Sequence, residues 1–303
     1  GTLPDRTPRT ILPMLKIAVV DHHLNNFHAD KYSELLRGPL AGEEAALTVA
    51  YESHPTGDDW CAKHGVRRAD TVEEAVREAD AVLLLAPNDV DTHPALAANV
   101  LPAGKPVFLD KMLAADTNGA REIVTLARRH GAPIYSCSAL RHAREVEEAL
   151  AQIARSGETV TEVVARGMGK WDHYGVHTVA MALRLMGRGS AVRRVADSGS
   201  DAARWVTLDF GGERRAHLDV RAAENEWEVF SWTFAARTGN RYVAGKVADY
   251  DGFYHDQLKA VLDFFRTGEP PAPPEEALDT VAVIEGAERS RRADGAWISL
   301  DAA

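Results

Sequence analysis

The chain has 303 residues, which is long for one ordinary domain and sufficient for two. Hydrophobic residues make up 45% of it and charged residues 26%, a composition typical of a globular protein with a buried core. The formal net charge of -10 argues against nucleic acid and anionic membrane surfaces as partners, because both attract basic proteins.

The sequence also argues against membrane insertion and against a disulfide-rich fold. No apolar run approaches the roughly 18 residues of a membrane span. Residues 1–14 lack the apolar segment of a signal peptide, and we interpret them as a disordered leader. Only two cysteines occur, Cys61 and Cys137, so at most one bridge could form. These features favour a reducing, cytoplasmic location.

Strands and helices alternate through residues 15–138. Apolar runs at 15–20, 47–52, 81–86, 105–110 and 133–137 predict buried strands. Helical patterns lie at 27–36, after Thr71, at 94–99, and from Asp116 or Thr117 to His130, where Gly131 ends the helix. Thr71 and Glu74 have the spacing of a capping box. The alternation predicts βαβ units and a Rossmann-like, doubly wound parallel sheet.

The pattern changes in residues 139–303. Helices are predicted at 143–156 and 174–186 around a strand at 159–165. Strands follow at 205–210, 216–222, 228–235 and 242–247, with turn signals at 211–212 and 238–240, which predicts an antiparallel meander. Helices at 254–267 and 275–291 end the domain, and the first carries an apolar stripe at Leu258, Val261, Leu262 and Phe265. We therefore expect a second, α+β domain.

Four short motifs occur in a recognisable order. Ala86-Pro87-Asn88 follows a predicted strand, and the next strand ends in Asp110-Lys111. Tyr174-Gly175-Val176-His177 opens a helix in the second domain, and Gly295-Ala296-Trp297-Ile298 follows the last helix. In this order and spacing the motifs resemble the family of glucose–fructose oxidoreductase and inositol dehydrogenase, the Gfo/Idh/MocA family. Its Glu-Lys-Pro motif reads Asp110-Lys111-Met112 here, and two acids of its second-domain motif are replaced.

The resemblance implies an NAD(P)-dependent oxidoreductase that transfers hydride between a nicotinamide and a sugar, polyol or related hydroxy compound. It places Lys111 beside the reacting hydroxyl, and His177 would act as the proton acceptor because histidine titrates near neutral pH. His173 lies four residues earlier, on the same face if the helix includes it, and would hydrogen-bond to the substrate. Four further residues would border the cofactor: Pro87, Asn88, His93 and Asp110.

The first turn departs from the family pattern. Gly-x-Gly-x-x-Gly would let the backbone approach a pyrophosphate at a helix N-terminus. The chain has no glycine between Asp21 and His28. Binding at this turn would then fall to His22, His23, Leu24 and Asn25.

Glu52 ends the second predicted strand, where the family often uses an acid to bind the adenine ribose. An acid there would repel a 2′-phosphate and so favours NAD over NADP. Family members commonly form dimers or tetramers through the second domain's sheet, so we expect a homodimer or homotetramer.

Two alternatives remain open at this stage. One is a ligand-binding relative that has lost its cofactor, which the missing glycines and acids would suit. The other is a metal-dependent lyase or isomerase whose histidines converge on the inter-domain crevice. The sequence has no close ligand motif such as His-Glu-x-x-His, so it predicts no metal site by spacing alone. The histidines concerned are His22, His23, His28, His93, His173 and His177.

Overall fold

The computed structural model describes residues 13–187, 189–222 and 231–300. Most of the expected leader lies outside the described residues, as does the beginning of the strand expected at 228–235. Within the described part of the chain, no helix combines the length and the apolar character that crossing a membrane requires.

The first sheet has six parallel strands in the order β3-β2-β1-β4-β5-β6. Their bounds are β1 Leu15–Asp21, β2 Ala45–Glu52, β3 Arg67–Arg68, β4 Ala81–Leu84, β5 Val107–Leu109 and β6 Ile134–Ser136. This is the strand order of a Rossmann fold, and ligands bind such sheets at the carboxyl ends of β1 and β4, where the order reverses. The expected doubly wound sheet is confirmed.

Helices cover both faces of this sheet. They are α1 Phe27–Arg37, α2 Trp60–His64, α3 Val72–Glu78, α4 His93–Val100 and α5 Thr117–His130. Ile17 and Val19 of β1 belong to the core beneath α1, whereas Ala18 and Val20 belong to the core beneath α3, α4 and α5. Because side chains alternate along a strand, a continuous apolar run is what a sheet covered on both faces requires.

The helix ends follow their capping residues. The Thr71 hydroxyl accepts a hydrogen bond from Glu74 N at the start of α3. The Glu74 carboxylate accepts from Asp70 N, one residue before the position that a complete capping box uses. Asp116 caps α5, and Gly131 ends it with a φ of 61° in the left-handed region.

The second sheet has seven strands in the order β12-β11-β7-β10-β9-β8-β13. Their bounds are β7 Glu162–Met168, β8 Arg194–Asp197, β9 Ala203–Gly211, β10 Arg214–Arg221, β11 Thr233–Arg237, β12 Tyr242–Lys246 and β13 Ile298–Ser299. Both expected hairpins are confirmed, since β9 pairs antiparallel with β10 and β11 with β12. A simple meander is wrong, because β7 lies between β10 and β11 and runs parallel to β10. Val163 and Ala165 of β7 are fully buried, as expected for a central strand. In that position both edges of β7 are paired with neighbouring strands.

The remaining helices are α6 Arg144–Ala154, α7 Trp171–Met186, α8 Tyr250–Thr267 and α9 Pro274–Arg292. The apolar stripe of α8 is buried as expected, but it packs in the same core as α1 and β1 of the first sheet. Helix α9 contributes Leu278 and Val281 to the other core of the first sheet, and Val283 and Ala287 to the core of the second. Helix α8 also contributes Phe253 to the core of the second sheet, so both helices pack against both sheets.

Candidate active site

A pocket of about 440 Å³ opens at the carboxyl edge of the first sheet and extends to α7 and α8. Pro87 and Asn88 line it after β4, and Lys111 lines it after β5. His173 and His177 reach it from α7. The residues that the sequence placed on separate motifs therefore meet in one cavity, at the edge where parallel sheets bind ligands.

Lys111 is a buried lysine, only 7% exposed, next to a buried carboxylate. Its backbone N–H donates to Asp110 Oδ1 at 2.8 Å, and His28 Nδ1 lies 2.5 Å from Asp110 Oδ2. Burial lowers the pKa of the Lys111 ammonium, and the Asp110 charge opposes that effect. Burial by itself would raise the pKa of Asp110, but the charges of His28 and Lys111 bring it below the ordinary value. Asp110 is thus a buried anion next to Lys111, and it lies outside the set of residues that lines the pocket.

His173 and His177 lie one turn apart on α7, since the helix begins at Trp171 and includes both. The Ser138 hydroxyl, just after β6, contacts His177 Nδ1 at 2.6 Å. Burial and the positive charge of Lys111 hold the pKa of His177 well below its usual value. The same two causes, burial first, lower the pKa of His173. Both rings are therefore neutral at pH 7, and the Ser138 contact leaves Nε2 as the nitrogen of His177 available to a ligand.

Aromatic side chains form much of the remaining wall. Phe27 and Tyr254 are 5.5 Å apart between ring centroids, and Trp232 lies 5.7 Å from His177 and 6.0 Å from Tyr250. Such rings pack against the apolar faces of flat or ring-shaped ligands, and tyrosine and tryptophan also offer polar atoms at their edges.

The turn between β1 and α1 is held by two buried carboxylates. Asp21 Oδ1 accepts hydrogen bonds from His23 N and Ala86 N, and Oδ2 accepts from the Asn26 side chain. Burial raises the pKa of the Asp21 carboxyl to about 7, despite the lowering effect of these hydrogen bonds. Glu52 Oε2 accepts from Leu24 N. Backbone amides that a glycine-rich turn would offer to phosphate are therefore engaged within the protein.

Three of the residues expected to bind the cofactor have side chains that are buried and engaged within the fold. The Leu24 side chain is fully buried in the core beneath α1. Both carboxylate oxygens of Glu52 are occupied, one by Leu24 N and the other by Arg68 at 2.7 Å. His93 is 0% exposed, with its ring nitrogens 2.8 Å from Leu85 O and 3.1 Å from Leu113 O. We therefore correct the expectation that these three side chains contact a cofactor directly, because each has its polar atoms or its apolar surface satisfied inside the fold.

The other residues of the turn are accessible. Asn25 is exposed and donates from its side chain to Thr56 O and Asp58 O. His22 and His23 are half-buried and lie outside the set of residues that lines the pocket. The six histidines of the metal-enzyme alternative thus do not converge: His28, His173 and His177 reach the pocket, His93 is enclosed, and the other two stand at the turn.

Sequence reasoning missed several residues of the site, namely Ser138, which contacts His177, and four aromatic residues of the pocket lining. Ser138 had a readable signal, because it follows the carboxyl end of β6 and so lies at the ligand-binding edge. Tyr250, Phe253 and Tyr254 are spaced i, i+3, i+4 at the start of α8 and form an aromatic stripe. The sequence analysis missed this stripe because it predicted that the helix begins at residue 254. Trp232 had no such signal, since it comes to the pocket only through the order of strands in the second sheet.

Residues 19–137 match the model of the GFO_IDH_MocA family, described as an oxidoreductase family with an NAD-binding Rossmann fold. The matched segment spans the first sheet from β1 to the end of β6. The segment that forms the first sheet therefore has the sequence pattern of this oxidoreductase family. The resemblance read from the short motifs is thereby confirmed. No curated protein matches the sequence.

Solved structures with a similar fold cover 94–100% of this chain. GenD2 from gentamicin A biosynthesis, in complex with NAD, is 19% identical, with a TM-score of 0.77 over 100% of both chains. A probable dehydrogenase from Thermotoga maritima is 16% identical, with a TM-score of 0.79 over 94% of this chain and 99% of that one. Myo-inositol dehydrogenase from Lactobacillus casei, in complex with NAD(H) and myo-inositol, is 12% identical, with a TM-score of 0.77 over 96% and 98%. At these identities the likeness establishes the fold. Neither the cofactor-less relative nor the metal-dependent lyase gains support from these comparisons.

Proposed function

We propose that the protein is an NAD-dependent oxidoreductase that moves a hydride between the nicotinamide and a hydroxyl of a sugar, polyol or related compound. The observation that carries this proposal is the convergence of Lys111, His173 and His177 in one pocket. That pocket lies at the switch point of a sheet belonging to an NAD-binding oxidoreductase family.

The crevice fits a dinucleotide best at its nicotinamide end. Pro87, Asn88 and Lys111 border the place where the ring would lie. The phosphates would meet His22, His23 and Asn25 and the N-terminus of α1, since the amides of His23 and Leu24 are already engaged. When bound, the nicotinamide supplies the hydride acceptor or donor. The Glu52 carboxylate points inward, so it is not free to repel the 2′-phosphate of NADP. The expected preference for NAD on this ground therefore no longer applies.

His177 has the properties of a proton acceptor for a substrate hydroxyl. Its ring is neutral at pH 7 because burial and Lys111 lower its pKa, and its Nδ1 is held by Ser138. A neutral imidazole with a fixed orientation takes the hydroxyl proton as the oxygen becomes a carbonyl, and returns it in the reverse direction.

Lys111 has the properties of the group that binds the reacting oxygen. Its amine lies in the pocket wall with little exposure to water, where a hydrogen bond or a charge has a larger effect than in solvent. It therefore stabilises negative charge that develops on the substrate oxygen. His173, on the same helix face as His177, is placed to hydrogen-bond to a neighbouring hydroxyl.

The lining favours a ring-shaped, uncharged, hydroxylated substrate. Phe27, Trp232 and Tyr254 offer aromatic faces, while Asn88 and His173 offer hydrogen-bonding groups. Myo-inositol, bound by the structurally similar enzyme from Lactobacillus casei, has this chemistry. We therefore place the substrate among cyclic polyols and sugars.

A screen of cyclic polyols and sugars with NAD, followed by the absorbance of reduced nicotinamide, tests this proposal. With the best substrate, we expect Lys111→Met to lower kcat/KM by about 10²- to 10⁴-fold, through loss of electrostatic stabilisation in the transition state. The exposed Lys246→Met is the matched control and should leave kcat/KM unchanged. Equal activity of the Lys111→Met variant would contradict the assigned role.

We also propose that the outer face of the second sheet forms a homodimer or homotetramer interface. Val164 on β7 and Trp205 on β9 are large apolar side chains that are 40% and 48% exposed. Arg221 stacks over the Trp205 ring at 4.7 Å. Light scattering should show an oligomer that Trp205→Asp converts to a smaller species, and a monomeric parent protein would refute the interface.

A reducing, cytoplasmic setting is the location we propose. Cys61 and Cys137 are both free thiols, and Cys61 is buried. Burial raises the pKa of the Cys137 thiol to about 11, so it is unreactive at neutral pH. Retention of both thiols in protein purified without reductant, counted with a thiol reagent after unfolding, would agree with this.

A further inference from the structure

The glycine-free turn brings two imidazoles and a carboxylate together beside the crevice. One ring nitrogen of His22, one of His23 and a carboxylate oxygen of Asp89 lie within 4.8 Å of one another, and all three side chains are half-buried. Asp89 stands after β4, so the cluster joins the carboxyl ends of the two strands at the switch point. We propose that His22, His23 and Asp89 bind a divalent transition-metal ion of the zinc and cobalt class.

The orientation of the two rings supports this assignment independently of their proximity. His23 Nδ1 lies 2.7 Å from His54 O, which can only accept, so this nitrogen carries the proton and Nε2 carries the lone pair. His22 Nδ1 lies 2.7 Å from the Ser53 hydroxyl. Histidines that bind metals almost always have their second nitrogen held by such a partner, which fixes the tautomer and the ring orientation.

The donor set selects the class of ion. Two neutral imidazole nitrogens and one carboxylate oxygen suit zinc, cobalt or nickel, whereas magnesium and calcium prefer oxygen ligands throughout. A third imidazole, His54, borders the cluster, with ring centroids 5.5 Å from His22 and 5.2 Å from His23. Three protein ligands leave a coordination position for water or an oxygen anion.

The cluster lies outside the pocket that holds Lys111, His173 and His177, although the proposed function places His22 and His23 beside the dinucleotide phosphates. His22, His23 and Asp89 are outside the set that lines the Lys111 pocket. Metal binding therefore neither requires the proposed function nor follows from it, and it can be measured with no dinucleotide present.

Titration of chelator-treated, tag-free protein with CoCl₂ and with ZnCl₂ tests the site. Visible absorption of bound cobalt and calorimetry with zinc should both give one equivalent with micromolar or tighter affinity. His22→Gln and His23→Gln should each weaken binding by at least about 100-fold, since each removes one of three ligands. His130→Gln, an exposed histidine at the end of α5, is the matched control and should bind as the parent does.

Two milder variants keep both histidines and serve if a histidine variant does not fold. Asp89→Asn should weaken binding by roughly 10-fold or more, and Ser53→Ala by about 10- to 100-fold through the orientation of His22. Absence of binding at millimolar metal would overturn the site. So would a parent-like affinity in the folded His22→Gln and His23→Gln variants.

Discussion

Replacement of Ser138 by alanine tests how His177 is held in the pocket. The Ser138 hydroxyl contacts His177 Nδ1 at 2.6 Å, and Ser138 is almost fully buried. Loss of one buried hydrogen bond costs about 1–1.5 kcal/mol. If the bond holds the ring in its reactive orientation, this loss corresponds to a fall in kcat of about tenfold, with little change in KM.

The same hydroxyl also accepts a hydrogen bond from Leu140 N at 3.2 Å, where it caps a short 3₁₀ helix. Loss of that cap should cost about 1 kcal/mol. Together with the bond to His177, we expect urea denaturation to show the free energy of unfolding lowered by about 2 kcal/mol.

Two comparisons separate positioning from stability. Ser138→Thr keeps a hydroxyl and should recover most of kcat, while Ser156→Ala removes a hydroxyl bonded to Ile153 O at the end of α6 and should leave kcat unchanged. A Ser138→Ala enzyme with full kcat, or one affected only in KM, would refute the reasoning.

Three further predictions follow from other parts of the fold. Because the pKa of His177 lies well below its usual value, the neutral base persists in mild acid, and kcat should stay level from pH 8 to about 6; an acid limb near the ordinary histidine pKa would contradict this. Burial raises the pKa of Asp279 to about 6. Its contribution to stability is therefore present in acid and lost as the pH rises through that value. In urea denaturation, the fall in the free energy of unfolding from pH 4 to pH 8 should be smaller by about 2 kcal/mol in Asp279→Asn than in the parent protein, and an equal fall in both would contradict this. An added Cβ at Gly167 would lie 1.8 Å from Thr178 Oγ1, so Gly167→Ala should lower the free energy of unfolding by about 1–3 kcal/mol. An unchanged urea midpoint would contradict this, because it would mean that α7 shifts to make room at no cost in stability.

The first sheet was predictable because its signals are local. Each strand except β3 is a short apolar run between a helix end and a helix start, and the caps at Thr71 and Asp116 lie where the sequence placed them. The second sheet was only partly predictable, because the central position of β7 depends on pairing with β10 and β11, far away in the chain. The short strands β3, β8 and β13 have too few residues to show a period.

The site residues that belong to short motifs were predictable from the sequence. The orientation of buried side chains at the site was not. Lys111 and His177 follow from short motifs, and the structure brings them to one pocket. Glu52 sits at the expected strand end, yet its carboxylate turns inward to Leu24 N and Arg68. The sequence shows that an acid is present, but the direction of its side chain is set by neighbours that come from other elements.

Dinucleotide binding tests the central claim most directly. Titration of the purified protein with NADH and with NADPH, followed by nicotinamide fluorescence, should give micromolar binding of NADH. Lys111→Met should retain that binding within a few fold, because the pocket and the crevice persist. An absence of binding of either dinucleotide up to millimolar concentration would contradict the assignment of an NAD-dependent oxidoreductase.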